Sequence, residues 1–218
     1  MSFLNFAKTL IKKFPGATNY YRYLHDSKAL NAEVVFREKL GLHFNGSSSM
    51  ETGECEPHET AIVGNRLEAF DVFVNIGANT GYYVCKALNR GIPVIAFEPN
   101  QVNVNLLLKN IEANKFETDL QFFPLALSNK NGVIPMYGAS TGASLIDGWA
   151  GQRNRYLVPT LKFDRIAKSL VNSKSCLVLI DIEGAELNCL KGANTLIKSS
   201  ENNVFLIEIT VGHHQPSG

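Results

Sequence analysis

From residue 71 onward the chain alternates short apolar runs with amphipathic segments, in the order DVFVNI, YYVCKALNR, PVIAF, QVNVNLLLKNIEAN, LQFFPLALS, SCLVLIDI, ELNCLKGANTLIKSS and NVFLIEIT. Five of these are apolar runs of strand length, bounded by turn residues and separated mostly by helical patterns. A strand that is apolar on both sides offers no face to water, so it belongs in a sheet covered on both faces. The intervening helices supply that cover and make right-handed crossovers between parallel neighbours. The sequence thus predicts an α/β domain with a doubly wound, mostly parallel sheet over residues 71–218.

Residues 1–70 read differently. Helices are expected near 3–14, 27–40 and 57–69, the last carrying Ile62, Val63 and Leu67, with the turn-rich connector NGSSSMETGECEPHE between the second and third. We expect this helical lead-in to pack on the sheet domain. The interval 129–160, NKNGVIPMYGASTGASLIDGWAGQRNRYLVPT, breaks the later alternation with two short strand candidates and many Gly and Ser. An insertion of this size over the carboxyl edge of a parallel sheet is where a substrate-binding element is expected.

Composition narrows the function classes. The chain has 218 residues, 45% of them hydrophobic, enough for one domain with a substantial core. Its formal net charge is +1, with both signs scattered along the length, so it lacks the basic footprint of a nucleic-acid binder. Cys55, Cys85, Cys176 and Cys189 show no paired spacing, which fits reduced thiols in a cytoplasmic protein without a bound metal. No apolar run approaches the roughly 20 residues that span a bilayer, and the N-terminus lacks a secretory signal pattern. In SFLNFAKTLIKKF at 2–14, Phe3, Phe6, Leu10 and Phe14 recur near helical spacing, with Lys8, Lys12 and Lys13 elsewhere on the turn. That pattern suits packing on its own domain or on a second subunit of a homo-oligomer, and less readily contact with a membrane surface.

The turn VNIGANTGYY at 74–83 carries the first chemical signal. A strand running into Gly77, Asn79 and Gly81 before a helix sets several backbone amides at a helix N-terminus, where they can hold an anion or a polar ligand. Glu98 ends the next apolar run, 21 positions after Gly77, where a carboxylate can accept from both hydroxyls of a ribose. Together they describe a nucleoside site. The turn reads G-A-N-T-G and so lacks the G-x-G-x-x-G spacing that admits a pyrophosphate, because Asn79 stands where that fingerprint needs glycine. A smaller ligand ending in an amino-acid carboxylate fits better, and S-adenosyl-L-methionine is such a ligand.

These residues resemble the FkbM-type methyltransferases, which transfer methyl groups to hydroxyl oxygens of sugars and polyketide-like natural products. The resemblance runs from roughly Gly53 to Glu208. It rests on CEPHE at 55–59, VNIGANTGYY, AFEPN at 96–100, LALS at 125–128, GASLI at 142–146, LKFD at 161–164 and, most specifically, LIDIEGAELNCLKGA at 179–193. It implies the class I, Rossmann-like methyltransferase fold with strand order 3-2-1-4-5. It further implies that Glu56 reaches the cofactor from the lead-in and that Asn75, Gly77, Asn79 and Gly81 line its methionine end. Glu98 would take the ribose, and Ala126 with Leu127 would border the adenine. Such proteins usually carry an acid where this chain has Asn75. They also continue past the fifth strand into a helix and an antiparallel hairpin; here only VGHHQPSG follows NVFLIEIT, so that hairpin is expected to be missing, either because the chain is a fragment or because another subunit covers the strand edge.

For chemistry, Asp181 and Glu183 follow the fourth run, beside the expected cofactor position. One of them could orient or deprotonate an alcohol acceptor while the other holds the methionine portion. Alternatively, Glu183 serves the dipole of the following helix and Asp181 fixes the loop. His213 and His214 could approach the same cleft and, with Asp181, Glu183 and Glu208, could hold a metal, although nothing fixes the spacing and none is expected. Tyr82 and Tyr83 could present an aromatic face to the sulfonium. Trp149 and Ser144 fall in the insertion, where they either touch substrate or pack. The leading expectation is an O-methyltransferase acting on a small-molecule or glycan acceptor; the alternative is a binding or scaffold protein that keeps the fold and has lost turnover.

Overall fold

The computed structural model describes residues 27–138, 142–149, 154–171, 174–198 and 203–210. The helix expected near 3–14 and the pair His213 and His214 lie outside the described residues. Contacts divide the chain into two compact units, Met1–Glu33 and Val34–Gly218. Of the first, residues 27–31 are helical. The second holds everything that follows.

The expected helix over 27–40 is corrected. Beyond residue 31 the backbone turns extended and forms an antiparallel hairpin, β1 (Val35–Arg37) with β2 (Leu42–Phe44), in register Val35 to Phe44. Its own residues explain the change. Val34, Val35 and Phe36 are β-branched or aromatic and favour strand over helix. Leu42 and Phe44 then point inward with His43 outward, which is a period of two. Two helices follow, α1 (Ser48–Glu51), capped by the Ser47 side chain on the Met50 amide, and α2 (Pro57–Arg66), with proline in its first turn.

The central sheet is assembled from β3 (Val72–Ile76), β4 (Val94–Phe97), β5 (Leu120–Phe123), β9 (Cys176–Ile180) and β10 (Asn203–Ile207). All of its pairings are parallel, in the order β10-β9-β3-β4-β5. Numbered by chain position, that is 3-2-1-4-5. Helices α3 (Tyr82–Leu88) and α4 (Gln101–Asn114) follow β3 and β4; α5 (Ala167–Val171) precedes β9, and α6 (Glu186–Lys191) and α7 (Asn194–Lys198) lie between β9 and β10. Within β3, Phe73 belongs to one core cluster with Tyr82, Val84 and Leu107, while Val72, Val74 and Ile76 belong to another with Phe163, Leu170 and Leu196. Burial on both faces is what the unbroken apolar runs required. The insertion forms a second, smaller sheet in which β8 (Arg155–Leu161) pairs in parallel with β6 (Ala126–Leu127) and antiparallel with β7 (Gly132–Tyr137).

Helix α4 ties the hairpin to the sheet through asparagines one turn apart. Asn114 accepts from the His43 amide at 2.8 Å and donates to its carbonyl at 2.7 Å. Fully buried Asn110 accepts from the Asn45 amide at 2.8 Å and donates to the carbonyls of Asn45 and Thr80, each at 2.9 Å. One side chain thus serves two loops that have no ladder of their own. Replacing Asn110 with leucine leaves these backbone groups buried without it, and unfolding in urea should show a loss of about 3 kcal/mol.

Candidate functional site

The carboxyl ends of β3, β4 and β9 and the wall of the small sheet enclose a cleft of about 570 Å³, counting its open mouth. The fold locates it: ligands of open parallel sheets bind beyond the carboxyl ends, where strand order reverses. Here the reversal lies between β3 and β9.

The glycine turn after β3 works differently from its sequence expectation. The amides of Gly77 and Ala78 both donate to the Phe97 carbonyl at 2.9 Å, and the Asn79 amide donates to Glu98 Oε2 at 2.8 Å. The Thr80 amide goes to the Asn79 side chain at 2.8 Å and the Gly81 amide to the Ala78 carbonyl at 2.9 Å. Each amide from 77 to 81 therefore has a partner inside the protein, so the turn is not an open anion cradle. Its role is to let backbone come close to the cleft and to fix Glu98.

Glu98 is 4% exposed. Its Oε1 accepts from the Asn100 amide at 2.9 Å and from Asn103 Nδ2 at 3.4 Å, in addition to the Asn79 amide on Oε2. Burial pushes its carboxyl above the ordinary range, and these three donors oppose that shift without cancelling it. The Asn103 Oδ1 is buried and has no partner, although Asn103 lines the cleft. Asn100 extends the network by donating to the Tyr156 hydroxyl on β8 at 3.0 Å. Sequence reading missed Asn103 and Tyr156, since neither belongs to a motif with a fixed offset from the turn.

Along the other wall lie Leu125, Ala126 and Leu127, with Met136, Ala143 and Leu145 from the insertion. These are apolar surfaces suited to a flat ring. At the β9 end Asp181 and Glu183 enter the cleft. Of the residues singled out in the sequence, Gly77, Asn79, Glu98, Ala126, Leu127, Asp181 and Glu183 are brought together there.

Asn75, Gly81 and Glu56 are not on its lining. Asn75 sits within β3 between Ala96 and Leu179, 1% exposed, and neither atom of its amide group has a partner. Gly81 opens α3 and packs toward Leu107. Glu56 precedes α2 with a left-handed φ of 41° and accepts from the Tyr83 hydroxyl at 2.8 Å. Tyr82 and Tyr83 are themselves buried and pack edge to face, so no aromatic surface reaches the cleft from α3. Trp149 and Ser144 turn inward to Glu183: the indole Nε1–H donates to its carboxylate at 2.9 Å, and Ser144 Oγ donates to its carbonyl at 2.5 Å.

Oxygens of Glu56, Asp181 and Glu208 lie within 4.8 Å of one another. Burial, reinforced by the nearby Glu208, Glu56 and Glu183, pushes Asp181 up to about 8, and burial raises Glu208 as well. Oxygens at this spacing either gather a hard cation or share protons. Among the described residues no His or Cys joins the group. These upward shifts favour the protonated forms of Asp181 and Glu208.

The sequence pattern that defines the methyltransferase FkbM domain matches residues 71–217. The chain belongs to this methyltransferase family. Among solved structures, an O-methyltransferase family protein from Burkholderia thailandensis is similar over 34% of this chain and 23% of its own, with 13% identity and a TM-score of 0.28. Monomeric WbdD is similar over 72% and 32%, with 12% identity and a TM-score of 0.41. A candidate RNA methyltransferase from Pyrococcus horikoshii covers 83% and 67%, with 13% identity and a TM-score of 0.35. The chain thus spans about a quarter to a third of the first two, and likenesses this distant carry no argument about activity. Comparison with curated proteins gives no match.

Proposed function

We propose that this FkbM-family protein transfers a methyl group from S-adenosyl-L-methionine to a hydroxyl oxygen of a saccharide or another small hydroxylated metabolite. The observation that carries the reading is Glu98: a buried carboxylate at the end of β4, tethered by two backbone amides and aimed at a cleft sized for a nucleoside. The residues present fit that ligand. Glu98 Oε2 retains a lone pair for a ribose hydroxyl, Asn103 Oδ1 offers a buried acceptor without a partner, and Leu125, Ala126 and Leu127 offer an apolar wall for adenine. When bound, the cofactor supplies an electrophilic methyl group on a sulfonium.

The protein's part is then alignment, exclusion of water and management of one proton. Orientation alone can contribute on the order of 7–11 kcal/mol. Asp181 lines the cleft, and with its carboxyl pushed up to about 8 it becomes able to take a proton from an alcohol as pH rises toward that value. Glu208, hydrogen-bonded to it, can share that proton. We also infer a cytoplasmic protein with a small-molecule or glycan acceptor and no nucleic-acid partner; the four buried free cysteines and the net charge of +1 support this. No helix among the described residues is long and apolar enough to cross a membrane.

Calorimetry with S-adenosyl-L-methionine and S-adenosylhomocysteine tests the reading directly. Micromolar binding is expected, and no binding of either by folded protein would falsify it. Glu98→Gln should weaken both ligands by about 30-fold in the same titration, because it replaces charge-assisted acceptance with neutral hydrogen bonds and sets an NH₂ against a backbone amide. A second reading, a scaffold that binds without turnover, is favoured by Asn75, an unpartnered amide in the strand that carries the turn. It predicts cofactor binding with no methylated product from an acceptor library, whereas any such product excludes it.

A further inference from the structure

Glu183, in the turn after β9, is gripped from outside that turn. Its backbone sits at a φ of 55°, in the left-handed region, which a residue other than glycine holds only where its surroundings over-determine it. The insertion supplies that constraint. Ser144 Oγ takes the Glu183 carbonyl and is itself fixed by accepting from the Ile146 amide at 3.0 Å, while its backbone exchanges two hydrogen bonds with Tyr137 at 2.7 and 2.8 Å. Trp149 takes the carboxylate through its Nε1–H, and its ring fills the space that a side chain at Gly184 would need. Trp149 is 1% exposed and Ser144 is fully buried. The same segment contributes Ala143 and Leu145 to the cleft wall, so wall and acid form one packed unit.

We propose that Trp149 and Ser144 are positioning residues that hold the Glu183 carboxylate on the cleft wall, where its charge faces the sulfonium of the methyl donor. This rests on the use of S-adenosyl-L-methionine proposed above. Glu98 ends β4 and Glu183 follows β9, with β3 between them, a span of two strand spacings or about 10 Å. In the donor, sulfur is bonded to the ribose carbon chain, so a ribose at Glu98 directs the positive half toward β3 and β9. A carboxylate fixed there distinguishes a cationic sulfur from a neutral one.

The ratio of affinities for S-adenosyl-L-methionine and S-adenosylhomocysteine reads this charge, since the two share every other polar group. Trp149→Phe keeps an aromatic side chain and removes the donor, together with part of the benzo ring that covers Gly184. Its affinity for S-adenosylhomocysteine should stay within about threefold of the parent, while its preference for the cationic ligand falls about 3- to 10-fold, in the same direction as Glu183→Gln. Ser144→Ala should move the ratio the same way. A changed ratio in Glu183→Gln with unchanged ratios in Trp149→Phe and Ser144→Ala overturns the clamp. An unchanged ratio in all three overturns the placement of Glu183. Failure of the parent protein to bind either ligand overturns the cofactor reading itself, a separate outcome. Because Trp149 is the sole tryptophan, its emission in the unmodified protein gives a second measure that needs no variant. The two ligands should change it by different amounts, and identical spectra at saturation would overturn the clamp.

Discussion

Replacing Gly77 with alanine should abolish cofactor binding and remove most of the fold's stability. The residue stands at a φ of 89°, and a Cβ there would overlap the Asp181 carbonyl oxygen and lie 2.9 Å from both the Asp181 carbonyl carbon and Ile182 Cγ2. The two Asp181 atoms belong to the backbone following β9, which is tied to β3 at this level by the Asp181 amide on the Ile76 carbonyl at 3.0 Å. Neither side can yield without parting two central strands. The expected cost exceeds about 4 kcal/mol, a large share of the 5–15 kcal/mol typical of a domain. Thermal melts followed by circular dichroism should show a drop of ten degrees or more, or no cooperative transition. Gly91→Ala separates the two causes: its φ is 74°, and nothing lies within 4 Å of a Cβ there. It should cost only the conformational penalty of about 1 kcal/mol. Equal losses in the two variants would show that packing against Asp181 is not what demands glycine.

The same turn shows how far the sequence could be read and where reading stopped. VNIGANTGYY and AFEPN announced a strand, a turn and an acid, and Glu98 stands where they put it because strand register leaves few alternatives. The sequence could not show that the turn's amides are consumed internally. Glu98 and the Phe97 carbonyl reach them only once β3 and β4 are paired. Local pattern also misled at 34–40, where apolar spacing suited a helix but β-branched and aromatic residues made the first strand of a hairpin whose second strand is tied to α4 through His43 and Asn45. The acid cluster lay beyond any local signal. Glu56, Asp181 and Glu208 are spread over most of the chain, and the Glu208 amide bonded to the Ile180 carbonyl at 3.0 Å is what places the last of them beside the second. Trp149 and Ser144 were visible as residues of interest in the insertion, but their partner was not. An indole donor 34 positions from its carboxylate has no periodicity to betray it.

Asp181→Asn should make the protein more stable at alkaline pH while removing its activity. In the folded state this carboxyl is pushed up to about 8, chiefly by burial and then by the neighbouring Glu208. In the unfolded chain it titrates near 4. Between those values the folded protein keeps a proton that the unfolded chain has released, so stability falls as pH rises from about 4 to about 8, and the full deficit persists above. Asparagine has no proton to lose. The variant and the parent should therefore melt alike near pH 4 and diverge through neutrality. At pH 9 the variant should lead by on the order of 2–5 kcal/mol, since each tenfold change in acidity is worth about 1.4 kcal/mol. Loss of the proton acceptor should lower methyl transfer by about 10²- to 10⁴-fold, measured with S-adenosyl-L-methionine at saturation on any acceptor that turns over. A gain in stability with a loss of rate is the mark of a site held in strain for its chemistry. An aspartate that merely fixes the loop after β9 would show the opposite: its removal would lower the melting temperature at every pH and leave no widening gap on the alkaline side.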